Sequence, residues 1–222
     1  MLIEQKLYDK KVICPLCRNN YSTKKALSRA LRVVRTEADF YTAYEDVNPV
    51  YYHIHVCDKC GFAYMDKTTP KIQPSQRQHY MDDVAARWQP RDFGGVRSIF
   101  EAITACKLAI FCAQFMEEPA RTVGGLCLQV AWLYRDMEEE EQEMRFLKET
   151  VHFYEYAYMS DASLDDQGKM TYLLGELNRR LGNERQAITY FTQVVNDKNA
   201  DPKYVRLARE AWGLLREDRQ TG

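Results

Sequence analysis

The sequence predicts an α+β chain, β-rich over residues 1–65 and helical over residues 96–218. Three observations lead there. The runs RVVRTEADFYTAY (Arg32 to Tyr44) and VYYHIHV (Val50 to Val56) are dense in β-branched and aromatic residues and partly alternate. Pro70, Pro74, Pro90 and the pair Gly94-Gly95 punctuate residues 66–95, as a connector would be punctuated. From Val96 onward the apolar period changes to that of a helix, about 3.6 residues.

Bulk properties bound the rest. The 222 residues allow one domain of moderate size or two small ones. A hydrophobic fraction of 45% supports a packed core. The net charge of −1 gives no general attraction to nucleic acid or to an anionic membrane. No apolar run approaches the roughly 18 residues of a membrane span. The start, MLIEQKLYDKK, lacks the pattern of a secretory signal. A cytoplasmic location is expected, where thiols stay reduced.

Within the first region, Cys14-Pro15-Leu16-Cys17 and Cys57-Asp58-Lys59-Cys60-Gly61 are two CxxC knuckles. Two such pairs read as a four-thiolate zinc site. The two-residue spacing lets both sulfurs of a knuckle reach one cation while the turn's amides steady them. Four thiolates complete a tetrahedron and leave no position for a substrate, so the expected zinc is structural, one per chain, held by Cys14, Cys17, Cys57 and Cys60. Asn48-Pro49 marks a turn between the two predicted strands, and the second strand runs into the second knuckle. Gly61 is free to take the left-handed conformation that closes that knuckle. Arg18 stands at the matching place after Cys17, so Asn19 is the expected left-handed residue there. A hairpin entering one knuckle with another knuckle across from it is the zinc-ribbon plan. The residues 18–56 between the knuckles are many for a minimal ribbon and imply an elaborated insert. In the connector, HYMDDVAARW (His79 to Trp88) is a candidate short helix.

Six helices follow. In the first, Ile99, Phe100, Ile103, Leu108, Phe111 and Phe115 fit one apolar face. Pro119 starts the second, which carries Leu126, Leu128, Val130, Ala131, Leu133 and Tyr134. The third covers about 139–159. The fourth, about 165–181, stops before Gly182-Asn183. The fifth runs from about Glu184 to Asn196, and Asp201-Pro202 caps a sixth ending near Glu217. Short loops imply three antiparallel hairpins. In YLLGELNRRLGNERQAITYFTQVV (Tyr172 to Val195), Gly175 and Ala187 are small where two helices would cross, and Phe191 fills the gap beyond. That is close to the tetratricopeptide pattern, with a weaker echo at LQVAWLYRDM some 46 residues earlier. Stacked hairpins of this kind present a concave face to a peptide or protein segment.

Four stretches together resemble a known family: CPLC, NPVYYHIHVCDKCGFAY (Asn48 to Tyr64), GLCLQVAWLYR (Gly125 to Arg135) and LLGELNRRLGNERQAITYF (Leu173 to Phe191). The family is domain of unknown function 2225, found largely in Firmicutes, and the resemblance covers about Cys14 to Trp212. It implies a cytoplasmic bacterial protein with an N-terminal zinc ribbon and a C-terminal helical repeat. It brings no catalytic residues, and carries over only the four cysteines as metal ligands.

The same residues bear on other chemistries. His53 and His55 could add zinc ligands, but four cysteines already satisfy the metal. Cys106, Cys112 and Cys127 read as buried small hydrophobes. A thioredoxin-type dithiol needs one CxxC at a helix N-terminus in a βαβ setting, and here there are two in β-rich settings. No nucleophile–base set, phosphate loop or metal-hydrolase motif can be placed, the glycine pairs 94–95 and 124–125 included. Lys24, Lys25, Arg29, Arg32 and Arg35 form a run without acids near Tyr41, Tyr44, Tyr51 and Tyr52, a conceivable nucleic-acid face. The acidic run from Asp136 to Glu143 reads as a solvated helix start. The expected protein is therefore a non-catalytic adaptor that binds a protein or peptide through tetratricopeptide-like hairpins. A nucleic-acid-associated regulator is the alternative, and a CxxC thiol-disulfide protein comes third. Oligomeric state and partner are not legible.

Overall fold

Each CxxC sits at the turn of its own antiparallel hairpin in the computed structural model, which describes residues 3–160 and 167–221, with side chains to 215. Strands β1 (Leu7–Ile13) and β2 (Asn20–Ala26) flank the first knuckle, with Ile13 opposite Asn20. Strands β5 (Ile54–Val56) and β6 (Ala63–Met65) flank the second, with Val56 opposite Ala63. The sequence led us to expect one hairpin entering one knuckle; there are two equivalent ones. The first went unread because β1 and β2 are largely polar (LYDKKVI and NYSTKKA) and bury only Leu7, Val12, Thr23 and Ala26.

Arg32 to Tyr44, expected as one strand, is a third hairpin: β3 (Val33–Thr36) and β4 (Thr42–Tyr44), closed by residues 37–41. Asp39 breaks the run by turning it, accepting a bond from the Tyr41 amide at 3.2 Å. Val50 to Val56 is likewise only partly strand. Pro49–Tyr52 is a 3₁₀ turn, with the Asn48 side chain accepting from the Val50 amide, and β5 begins at Ile54.

Helix α1 (Pro74–Asp83) begins five residues before the expected one, with proline at its first position and the Gln76 side chain accepting from the Gln73 amide at 3.0 Å. Six helices then follow as expected: α2 (Ile99–Phe115), α3 (Ala120–Asp136), α4 (Glu140–Ser160), α5 (Gln167–Arg180), α6 (Glu184–Asn196) and α7 (Pro202–Thr221). The start of the fourth, at 165, lies outside the described residues. Ser98 and Glu101 form a capping box on α2. Gly182, at φ +74°, ends the α5 turn, and the Asp201 carboxylate accepts from the Lys203 amide at 2.7 Å to open α7. Consecutive helices pack as neighbours from α2 to α7, and α5 also meets α7.

The burial of α2 differs from expectation. Phe100 and Phe111 are 65% and 46% exposed, while Ala102, Ala105, Cys106, Ala109, Cys112 and Ala113 are buried with Ile103. This helix lies against β5 and β6 as well as α3, and only small side chains allow that approach. Small residues also govern the helix crossings. A Cβ at Gly175 would stand 2.5 Å from the Phe191 ring, and one at Gly124 would stand 2.6 Å from the Tyr154 ring. Gly124 thus belongs to the α3–α4 crossing.

One core runs through both regions. It takes in Cys14, Leu16, Phe62, Tyr80, Cys112, Leu126 and Leu174 without a break. Arg97, 4% exposed, pins the junction: its guanidinium donates to the carbonyls of Phe93, Tyr51 and Ile54 and to Thr23 Oγ1, at 2.8–3.2 Å.

Candidate metal centre

The knuckle backbones are built alike. The amide of Cys14 donates to Asn19 O at 2.9 Å, and that of Arg18 to Cys14 O at 3.0 Å. The amide of Cys57 donates to Phe62 O at 3.0 Å, and that of Gly61 to Cys57 O at 2.9 Å. Matching these bonds requires the same left-handed residue in each, and Arg18 (φ 62°) and Gly61 (φ 72°) supply it. The left-handed residue of the first knuckle is thus Arg18, not Asn19. Asn19 instead donates to Asp58 Oδ1 at 2.7 Å and to Cys57 Sγ at 3.8 Å, tying one knuckle to the other.

Facing one another, the knuckles bring all four sulfurs within 4.8 Å of each other. Cys14 Sγ lies 3.7 Å from Cys60 Sγ, and Cys17 Sγ 3.6 Å from Cys57 Sγ. A tetrahedral ion with metal–sulfur bonds of about 2.3 Å needs sulfur–sulfur edges of about 3.8 Å. The four cysteines fit such an ion and could hold it. Cys14, Cys57 and Cys60 are buried and Cys17 is half-buried. Left to themselves, the thiols share protons unevenly. Cys57 is pulled down by hydrogen bonds from Cys14 and Cys60, with the Cys60 and Lys59 amides also donating. Cys14 is pushed up by its bond to Cys57, and Cys60 is also pushed up, first by Cys14. Thiols this close cannot all ionise unless a cation joins them, so metal loading releases protons.

Residues between the second hairpin and α2 brace the cluster. Arg77 of α1 donates to Pro15 O at 3.0 Å, and Trp88 Nε1 to Asp58 O at 2.9 Å. The Trp88 ring lies over Gly61, where a Cβ would come within 2.5 Å of it. Tyr80 packs edge-on against Phe62 and bonds Cys112 Sγ at 3.4 Å. Asp66, just past β6, is gripped by Lys10 of β1 and Lys25 of β2.

The two histidines face elsewhere. His53 Nδ1 lies 3.2 Å from Gln129 Oε1, and His55 Nε2 3.2 Å from Asp66, with burial pushing His55 down to about 4. Among the described residues, only the four cysteines gather as a metal-ligand group. Cys106, Cys112 and Cys127 are buried in the core, as expected. Of the basic run, Lys24 pairs with Asp9, Lys25 with Asp66 and Arg35 with Glu37. Tyr41 and Tyr52 are buried. The acidic run is solvated only in its middle: Asp136 accepts from Tyr41 and from Asn48, and Glu143 is buried against Arg135.

The sequence reading missed a second constellation. Residues 37–41, closing the β3–β4 hairpin, dock on α3, α5 and α7. Arg135 donates to Glu37 at 2.9 Å and to Asp39 at 2.7 Å, and Arg180 to Glu37 at 2.6 Å. Trp132 Nε1 donates to Asp39 at 3.2 Å, and Tyr172 Oη to Ala38 O at 3.0 Å. The Phe40 ring, on a residue at φ 67°, meets Tyr172 and Tyr204 with Lys169 and Lys203 over it. Asp39 is fully buried; burial alone would raise it, but Arg135 and Arg180 hold it below the ordinary carboxylate range. Two acids interrupting an alternating apolar run were the available signal.

These features define an α+β protein with small antiparallel sheets, a four-cysteine cluster and, among the described residues, seven α-helices. The chain belongs to the DUF2225 family, described as "uncharacterized protein conserved in bacteria", whose model matches residues 7–215. Neither the curated proteins nor the solved structures include a match to it. No helix among the described residues is long and apolar enough to cross a membrane.

Proposed function

We propose that the protein is a non-catalytic adaptor of the cytoplasm, with a structural zinc ion on Cys14, Cys17, Cys57 and Cys60 and a tetratricopeptide-like array that binds a protein segment. The observation that supports it most is the docked tip. Helices α3, α5 and α7 already hold an irregular stretch of chain through side-chain and carbonyl contacts. In stacked hairpins, alternate helices line the inner face, which is where such arrays bind extended segments.

Zinc is favoured by ligand chemistry: four thiolates in a closed tetrahedral cluster suit it best among common ions. In that role it holds two hairpins together and offers no site for a reaction. Redox turnover at one CxxC is disfavoured, since Cys14, Cys57 and Cys60 are buried and the four sulfurs gather in one cluster across both knuckles rather than as a lone dithiol. Nucleic-acid binding is disfavoured by the neutralisation of Lys24, Lys25 and Arg35.

Two measurements test the reading. Native mass spectrometry with metal analysis should find one zinc per chain. Affinity capture from bacterial lysate should yield partners that are lost when Arg135 and Arg180 are changed to Gln. A chain free of metal yet fully folded, or captured proteins indifferent to those substitutions, would sink it.

A further inference from the structure

The contacts of residues 37–41 describe a ligand. Its carboxylates sit two residues apart, on Glu37 and Asp39, and meet the guanidinium groups of Arg135 and Arg180. Between them the Ala38 carbonyl is read by the Tyr172 hydroxyl. The next side chain, Phe40, enters an aromatic corner of Tyr172 and Tyr204 fringed by Lys169 and Lys203. A planar guanidinium fork matches a carboxylate, and an aromatic corner fringed by ammonium groups matches an aromatic ring beside acids. Bonds to a carbonyl and to side-chain ends need no particular parent fold, so a segment from another chain could make them too.

Resting on the adaptor reading, we propose that this face recognises acidic–aromatic segments (acid, any residue, acid, aromatic), and that residues 37–41 are the chain's own resident copy. Two details bear on exchange. The strands carrying the tip are exposed or half-exposed along their length, with Val33 and Val34 facing solvent. Beyond the tip itself, where Asp39 and Tyr41 are buried, the hairpin therefore has little packing to lose when the tip lifts. Phe40 must also take a left-handed backbone to stay in a tight turn, whereas a linear segment presents the same ring from an extended backbone. A partner segment and the tip compete for one place, and the tip lowers the partner's apparent affinity by the fraction of time it occupies that place.

The test uses the full chain and a fluorescein-labelled peptide with the sequence of residues 36–42, TEADFYT. In one variant, Glu37–Tyr41 is replaced by Asn-Gly, a two-residue turn that still joins Thr36 to its partner Thr42. Zinc content and helical circular dichroism report whether that chain is intact. In a second variant, Phe40→Ala, only the aromatic anchor is lost.

By fluorescence anisotropy, the shortened chain should bind the peptide at least about tenfold more tightly than the native chain, with Phe40→Ala between them. A peptide carrying Asn for its Asp and Ala for its Phe should bind at least about tenfold more weakly, and Arg135→Gln in the shortened chain should do the same. An intact shortened chain that ignores the peptide would overturn the proposal, as would equal binding by native and shortened chains. Should the shortened chain not fold, Phe40→Ala binding no better than native decides against it. A native dimer that vanishes when the tip is shortened would place a second copy's tip on this face and also overturn it. Peptide failure alongside partners captured through Arg135 and Arg180 removes only the acidic–aromatic assignment; loss of those partners removes the adaptor reading.

Discussion

The knuckles at residues 14–17 and 57–60 make the same backbone bonds, yet one is closed by an arginine in the left-handed conformation and the other by a glycine. What covers them accounts for the difference. Trp88 lies flat on Gly61 and leaves no room for a Cβ. The first knuckle is braced from the side, through Arg77 on the Pro15 carbonyl, and Arg18 keeps its side chain at modest backbone cost. A left-handed turn position thus tolerates an ordinary residue when nothing packs on it, and demands glycine when an aromatic ring does.

The largest break in this symmetry is loss of a ligand. Cys57→Ser should remove most of the roughly 10–16 kcal/mol that a structural zinc site supplies. Zinc should leave, and amide exchange should become fast over β1, β2, β5 and β6; a variant that keeps its zinc and its protection contradicts the proposed site. Cys17, the most exposed ligand, should cost least of the four on the same readout.

Next comes Gly61→Ala, which sharpens the contrast. The left-handed backbone and displacement of Trp88 together should cost about 3 kcal/mol in chemical denaturation, with a red shift of tryptophan emission. An unshifted spectrum would mean that Trp88 does not cover the knuckle.

The joint between the hairpins offers a pH test. Burial works against the charge of Asp66, but Lys10 and Lys25 hold it lower, at about 2. A depressed carboxylate stabilises above its unfolded pKa of about 3.9 and loses that contribution as pH falls toward the folded value. The stability advantage of the native chain over Asp66→Asn should therefore be full above about pH 5 and shrink toward pH 2. An advantage unchanged across that window would show that the lysine contacts carry nothing. The smallest effect belongs to Arg18→Gly, which should leave zinc in place and raise stability by roughly 0.5–1 kcal/mol. A destabilised Arg18→Gly chain would show that the arginine side chain has a partner of its own.

Legibility in the sequence followed whether a feature is local. The cysteine spacing and the helix ends at Gly182 and Asp201 depend on a few neighbouring residues, and the structure has them where they were expected. Polar β1 and β2 went unread because their hairpin is set by the knuckle rather than by alternation. The face of α2 was misassigned at Phe100 and Phe111, though not at Ile103, because phenylalanine outranks alanine and cysteine in hydrophobicity, while the strands lying on that helix select for size. For the docked tip the sequence offers only two acids interrupting an apolar run, which do not say what they meet. Asp39 looks like an ordinary turn residue until Arg135 is seen beside it, and only the fold brings them together.

Vectorial synthesis gives that last contact a timetable. Glu37 bonds Arg135 across 98 residues and Arg180 across 143. On a ribosome adding about 5–20 residues per second, the second of these cations follows the acid by roughly 7–30 s. Through that interval both knuckles can already be closed, with the third hairpin projecting from the nascent chain and its acids in water. Setting Asp39 into its dry seat is accordingly a late event in the birth of this molecule.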